Sequence, residues 1–325
     1  AAMELMHAKT VADGIEAAAL FVAPSQNLTL VDKQNIVMKT IGAAPKRDPL
    51  HQSQGRLPTP GWIETNRWQG ILPYTSNPGF VAPAGGILGN TNNKMIDRPF
   101  PNHVSFDWGD TQRVQRWLAL MTAREVHTRD SFIEAQLDTV SPTVRNLLPL
   151  IGKDLWFTGE AAPAGTHDRM RQDALALLAE WNSEENEHLP EPLIAEAWLR
   201  SLQEHLTRDE IGPLGDVIIH VNPDFIERVY RNTEGASVWC DVVQSAVVET
   251  CSEIARQALD DALLQLRESY GGSIESWRWG DVHQATQESA GRDHDGRAMK
   301  LQIQVGLDPL HRSLLIKEAG HLRLE

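Results

Sequence analysis

The sequence predicts an α+β protein in which β segments near both ends flank a long helical middle. Three observations carry this. Residues 27–41 alternate or run apolar around a polar turn, as a β-hairpin does. From Thr111 to Tyr270 apolar residues recur mainly at helical spacing. That pattern stops at Gly271-Gly272, and a Trp-rich segment follows in which the helical period is lost. At 325 residues the chain can bury a substantial core in one large or two ordinary domains.

Each element has its local reason. Residues 3–23 read as a helix because Leu5, Met6, Val11, Ile15, Ala19 and Leu20 recur at its period, and Pro24 ends it. Residues 27–32 and 35–41 are the hairpin strands, with Asp32-Lys33-Gln34 as the turn. Residues 43–62 are polar and punctuated by Pro and Gly, which predicts an ordered but irregular loop. Val114, Trp117, Leu118 and Met121 then make one apolar helix face. A helix over 128–137 starts around Asp130 and Ser131, and one over 140–150 is entered at Ser141-Pro142, with Pro at a first-turn position. Residues 170–181, 192–205, 225–230 and 242–270 complete the helical part. Residues 273–284 predict a return to β structure, and 297–325 a strand and a divergent tail. Domain boundaries are expected to fall so that 1–110 is β-rich, 111–272 helical and 273–325 a return to the core.

Composition removes several functions. Net charge is −14, from 30 Lys+Arg against 44 Asp+Glu, so the basic footprint of a nucleic-acid binder is missing. No uncharged run is long enough to span a bilayer as a helix. The twelve histidines show neither an H-E-x-x-H pair nor Cys/His spacing, which argues against zinc. Asp293-His294-Asp295 can be drawn as a metal cluster but reads as a solvated segment. Cys240 and Cys251 fall in one predicted helix, where they would stand roughly 16 Å apart along the axis. A disulfide needs Cα atoms within about 7 Å, so buried thiols are expected. Trp181, Trp198, Trp277 and Trp279 are expected to pack in a core.

Chemistry is expected between Leu72 and Arg113. Asn77-Pro78, a glycine-rich approach and the adjacent carboxamides Asn92-Asn93 precede an arginine that opens a helix. Paired amides need many hydrogen-bond partners, and they suit a place where a fixed donor must meet a developing negative charge. The alternative is that Asn92 merely closes a turn. For Arg113 the alternative is a surface pairing with Asp107 or Asp110.

Around these residues an ordered series of motifs accumulates. Pro24-Ser25-Gln26-Asn27 leads to Val31-Asp32, and Gly42 to Arg47 form a G-x-x-P-x-R turn. Arg56-Leu57-Pro58-Thr59-Pro60, Trp68-Gln69-Gly70, Leu72-Pro73-Tyr74, Asn92-Asn93, Trp108-Gly109 and Gln136-Leu137-Asp138 follow. A W-x-W-G-x-x-H element ends at His283. Together they resemble the penicillin acylase (penicillin amidase) family of N-terminal-nucleophile hydrolases over nearly all of residues 1–284.

The resemblance implies a four-layer αββα core, incomplete here, with a large helical subdomain. It implies hydrolysis of linear amides by a serine at the first residue of the large subunit, whose own α-amino group is the base. The chain opens Ala1-Ala2-Met3, so it is expected to be an internal fragment of that subunit and inactive alone. Its expected partners are a small-molecule amide, the small (α) subunit and the remainder of the large subunit. Asn92 takes the position of the oxyanion donor, and Arg113 that of an arginine bracing the active site. A structural Ca²⁺ would fall at the Gly55 backbone and Asn102, where a neutral amide stands in place of the family's acid and weakens the site. Periplasmic localisation is implied likewise. Acyl-homoserine-lactone or cephalosporin acylase activity is the alternative within the family, and a non-catalytic helical interaction module the alternative outside it.

Overall fold

A computed structural model describes all residues except Ala82, Asp110, Phe157, Thr158, Ile218, Ile219, 293–297, 306–314 and 319–325. Asp110 and the Asp293-His294-Asp295 cluster therefore lie outside the described residues. The chain forms two compact units, Ala1–Arg124 and Glu125–Glu325.

In the first unit the expected N-terminal helix is two helices, α1 (Ala2–Leu5) and α2 (Val11–Ala18). The break is local. Thr10 and Asp13 form a capping box, and that reciprocal cap starts a new helix inside an apolar pattern that periodicity alone reads as continuous. The hairpin forms as expected, with β1 (Gln26–Val31) antiparallel to β2 (Ile36–Ile41) and Val31 opposite Ile36. Asp32 closes the turn: its Oδ1 accepts the backbone N–H groups of Gln34 and Asn35 at 2.8 and 2.7 Å. Its Oδ2 accepts that of Val11 at 3.0 Å, tying α2 to the hairpin. These bonds, first that from Val11, hold the Asp32 carboxyl below its usual range.

The strand β3 (Pro45–Arg47) pairs with β4 (Trp68–Ile71), and the rest of the stretch between them is irregular. β5 (Gly79–Val81) adds to the free side of β2, which becomes the central strand and buries Val37, Met38 and Ile41. Gly14 of α2 packs closely on the hairpin, since a Cβ there would lie 2.8 Å from a Leu30 methyl and that side chain would have to move. The unit closes with α3 (Gln112–Thr122), which buries Met121 and leaves Leu118 49% exposed, so the apolar face is narrower than its sequence suggests.

The second unit is mainly helical: α4 (Arg129–Gln136), α5 (Pro142–Ile151), α6 (His167–Glu180), α7 (Glu191–Ile211), α8 (Pro223–Tyr230) and α9 (Cys251–Tyr270). Caps set the starts: Thr128, Ser141, Thr166, Asn222 and Thr250 each accept a backbone N–H of the first turn. Trp198 (0% exposed) on α7 donates its indole N–H to Ala255 O at 2.9 Å, and Ala255, Ala258 and Leu259 face the same core from α9. Trp277 (1% exposed) is buried as well, while Trp181 and Trp279 pack against the core partly exposed.

Two expectations fail here. Residues 273–284 are not β: Ile274–Ser276 and Trp279–Asp281 are 3₁₀ turns, whose Trp277 is anchored by an indole bond to Gly271 O at 2.9 Å. Cys240 and Cys251 are not two thiols in one helix. The capping box of Thr250 and Glu253 starts α9 at Cys251, so the residues between the cysteines loop back. Their Cα atoms stand 5.0 Å apart in a disulfide. Further on, β6 (Ala285–Arg292), β7 (Ala298–Val305) and β8 (Leu315–Glu318) form an antiparallel sheet in that order, and 306–314 and 319–325 of the expected tail lie outside the described residues.

Candidate active site

In the first unit a cavity of about 350 Å³ opens between the hairpin and the loop that carries Asn92. Asn27, Thr40, Asn77, Asn92 and Arg98 are among its walls. Asn77 is a buried strut: its Nδ2 donates to Thr40 O and Gly42 O at 3.1 and 2.9 Å, continuing the edge of β2.

The loop is held by a carboxamide that sequence reasoning passed over. Asn90 Oδ1 accepts from Asn27 Nδ2 at 3.1 Å and from the Asn92 backbone N–H at 3.0 Å. Its Nδ2 donates to Asn93 Oδ1 at 3.0 Å. Asn27 Oδ1 in turn accepts from Thr40 Oγ1 at 2.9 Å, so both hairpin strands fix the loop. The signal was present in the string Asn90-Thr91-Asn92-Asn93, read as a pair when it is a trio. Asn93 serves the loop itself: its Oδ1 also accepts the Thr91 N–H at 3.1 Å, and its Nδ2 donates to Lys94 O at 3.2 Å.

Asn92 differs. Its backbone is left-handed, with φ 69°, a conformation that Asn tolerates better than most residues. Its Oδ1 accepts from Arg113 Nη2 at 3.2 Å. Among the described residues its Nδ2 has no hydrogen-bond partner, so the donor end of the amide is left open on a residue that lines the cavity. Arg113 makes no ion pair with Asp107 among the described residues. One turn on, Trp117 packs on the same loop, where a Cβ on Gly89 would come within 2.3 Å of its ring. Thus α3 braces the loop at two points on one face.

On the far side of the cavity His103 (6% exposed) stacks on Phe106 with ring centroids 4.1 Å apart. Burial, and then the charges of Arg47 and Arg56, push its pKa down, so it stands as neutral imidazole. Arg47 Nη1 donates to His103 O at 3.3 Å, and the Arg56 guanidinium lies 4.2 Å over the Phe106 ring. Gly55 sits against this assembly with φ 81°, a position that a side chain would strain. The Gly55 carbonyl and the Asn102 amide bring no charge, and a Cβ on Gly55 would lie 3.6 Å from Arg47 Nε. Among the described residues no three His, Cys, Asp or Glu groups are placed to hold a metal.

A thermostable penicillin G acylase from Alcaligenes faecalis has a similar fold, with a TM-score of 0.58 at 18% identity over 84% of this chain and 52% of that one. The penicillin amidase profile matches residues 1–311, past the end of the recognisable motifs, and the chain belongs to that family of amide hydrolases. It is 24% identical over 321 residues to an acyl-homoserine lactone acylase QuiP of Pseudomonas fluorescens (strain Pf0-1), covering 94% of this chain. It is 26% identical over 274 residues to penicillin G acylase of Escherichia coli, covering 75%. The chain spans only 38% and 31% of the length of these two relatives.

Proposed function

We propose that this chain is part of the large subunit of a penicillin-acylase-like hydrolase of linear amides, and that the cavity beside Asn92 receives the scissile carbonyl. The Arg113–Asn92 hydrogen bond carries the reading. A tetrahedral oxyanion is stabilised best by donors held in place before the charge develops. With its Oδ1 bonded to Arg113 and its backbone tied to Asn90, the Asn92 amide keeps its N–H groups free for a ligand. A backbone N–H supplies the second donor in this scheme.

The nucleophile is an N-terminal serine whose Oγ attacks the carbonyl carbon and whose α-amino group takes the proton. That amine then protonates the leaving amine, and water hydrolyses the acyl-enzyme. In this reading the serine, the rest of a four-layer core and the small subunit lie in sequence other than Ala1–Glu325. The share of the relatives' length that the chain matches supports this. The Cys240–Cys251 disulfide supports maturation in an oxidising compartment such as the periplasm. Acyl-homoserine-lactone hydrolysis is the second reading, favoured by the match over 94% of the chain to an acylase of that name.

The test compares the isolated chain with the full-length precursor product on phenylacetyl amides and long-chain acyl-homoserine lactones. The isolated chain should release no product and the full enzyme should. Turnover by the isolated chain that survives repurification, and is blocked by a serine-directed acylating reagent, overturns the proposal. Faster turnover of the lactones by the full enzyme selects the second reading.

A further inference from the structure

The cavity beside Asn92 has an unusual charge. Among the described residues none that lines it is Asp or Glu, in a chain with 44 of them, and Arg98 is the one Lys or Arg. Arg98 is partly buried and is steered by a bond from Nη1 to Ser76 O at 2.7 Å. Among the described residues it has no ion-pair partner. Asp97, its neighbour in sequence, is engaged by Lys94 Nζ at 2.6 Å. Lys39, whose Nζ donates to Asn77 O at 2.6 Å, is close enough for Arg98 to help push its pKa down, after burial itself. A second cation near Arg98 makes the lack of an anion costlier, because a partly buried guanidinium is stabilised by a counter-charge.

We infer that Arg98 recognises a carboxylate on the molecule occupying the cavity, resting on the reading of that cavity as the amide site. A guanidinium held through one nitrogen still has donors free, and its planar fork matches a carboxylate with two parallel bonds. Two sources share this chemistry: a carboxylate carried by the amine half of the substrate, or that of the released acyl acid. An arginine in the same cavity as the oxyanion donor thereby sorts substrates by charge, while Asn92 addresses the neutral carbonyl.

The experiment titrates the full-length enzyme, with its serine nucleophile replaced so that the amides are not hydrolysed, with four probes by calorimetry and by tryptophan fluorescence, since Trp108 lines the cavity. N-phenylacetylglycine and its neutral amide test the amine half, and phenylacetate and phenylacetamide test the released acid. In one pair the acid should bind about tenfold or more tighter than the amide, as a charge-assisted bond predicts, and which pair shows it identifies the source. Arg98→Met should abolish the preference and leave binding of the neutral probes unchanged, and Arg98→Lys should keep part of it. Circular dichroism and thermal melting confirm that both variants fold. Equal affinities within both pairs, or a preference that persists in Arg98→Met, overturn the assignment of Arg98 alone. If no probe binds, the cavity is not the amide site and both readings fall.

Discussion

Arg113 Nη2 donates to Asn92 Oδ1 at 3.2 Å, joining the first turn of α3 to a left-handed residue 21 positions earlier. The bond determines which end of the amide stays open. In the full-length enzyme Asn92→Ala should lower kcat by about two to three orders of magnitude and leave product-acid binding nearly unchanged. Arg113→Met, which frees the amide to rotate, should have a smaller effect, and the double variant should resemble Asn92→Ala alone, because the two residues act as one unit. Asn93→Ala should mainly lower the melting temperature. Additive losses in the double variant would show that Arg113 acts elsewhere.

Gly89→Ala tests the second brace. The added Cβ would come within 2.3 Å of the Trp117 ring, so the ring, the loop or α3 must shift. A destabilisation of about 1–3 kcal/mol is expected from such overpacking, read as a fall in the denaturant midpoint. In the full enzyme kcat should fall with it. Unchanged kcat would show that the position of Asn92 does not depend on this contact.

The disulfide should be a strong local stabiliser. Closing a loop of sequence separation 11 is worth about 3 kcal/mol in the chain-entropy view. Cys240→Ser with Cys251→Ser, or a reducing agent on the parent, should lower the denaturant midpoint equally. The reducing agent should do nothing to the double variant.

Stability should also fall with rising pH. Burial, and then the Glu196 carboxylate, push Glu185 up from 4.5 to about 8, while Glu196 and Glu210 are raised too, Glu210 to about 7. A carboxyl with a raised folded pKa keeps its proton in the native state after the unfolded chain has lost it. Its contribution is therefore complete below about pH 4.5 and lost as pH rises through about 8. Glu185 alone should give a slope of up to about 1.4 kcal/mol per pH unit in that window. Glu185→Gln should flatten it, as chemical denaturation at successive pH values will show.

Much of the fold was legible because its signals are local. The hairpin needed only alternation around Asp32, and α5 was marked by Ser141-Pro142, whose hydroxyl and ring act within one turn. Local signals also misled where two competed. The capping boxes at Thr10 and Thr250 restart helices inside apolar patterns, and missing the second one hid the disulfide. The 3₁₀ turns around Trp277 follow from burying that indole, a demand that residues 273–284 do not display by themselves.

By itself the sequence determined the family, through the order of its short motifs, and the helices whose caps lie within four residues of the turns they close. Tertiary structure alone decided what surrounds Asn92. The Asn27–Asn90 bond spans 63 residues and the Arg98–Ser76 bond 22, and neither has a period or a spacing that could announce it. Hydrogen bonds reach about 3 Å in space regardless of separation along the chain, so only the folded path could bring those groups together.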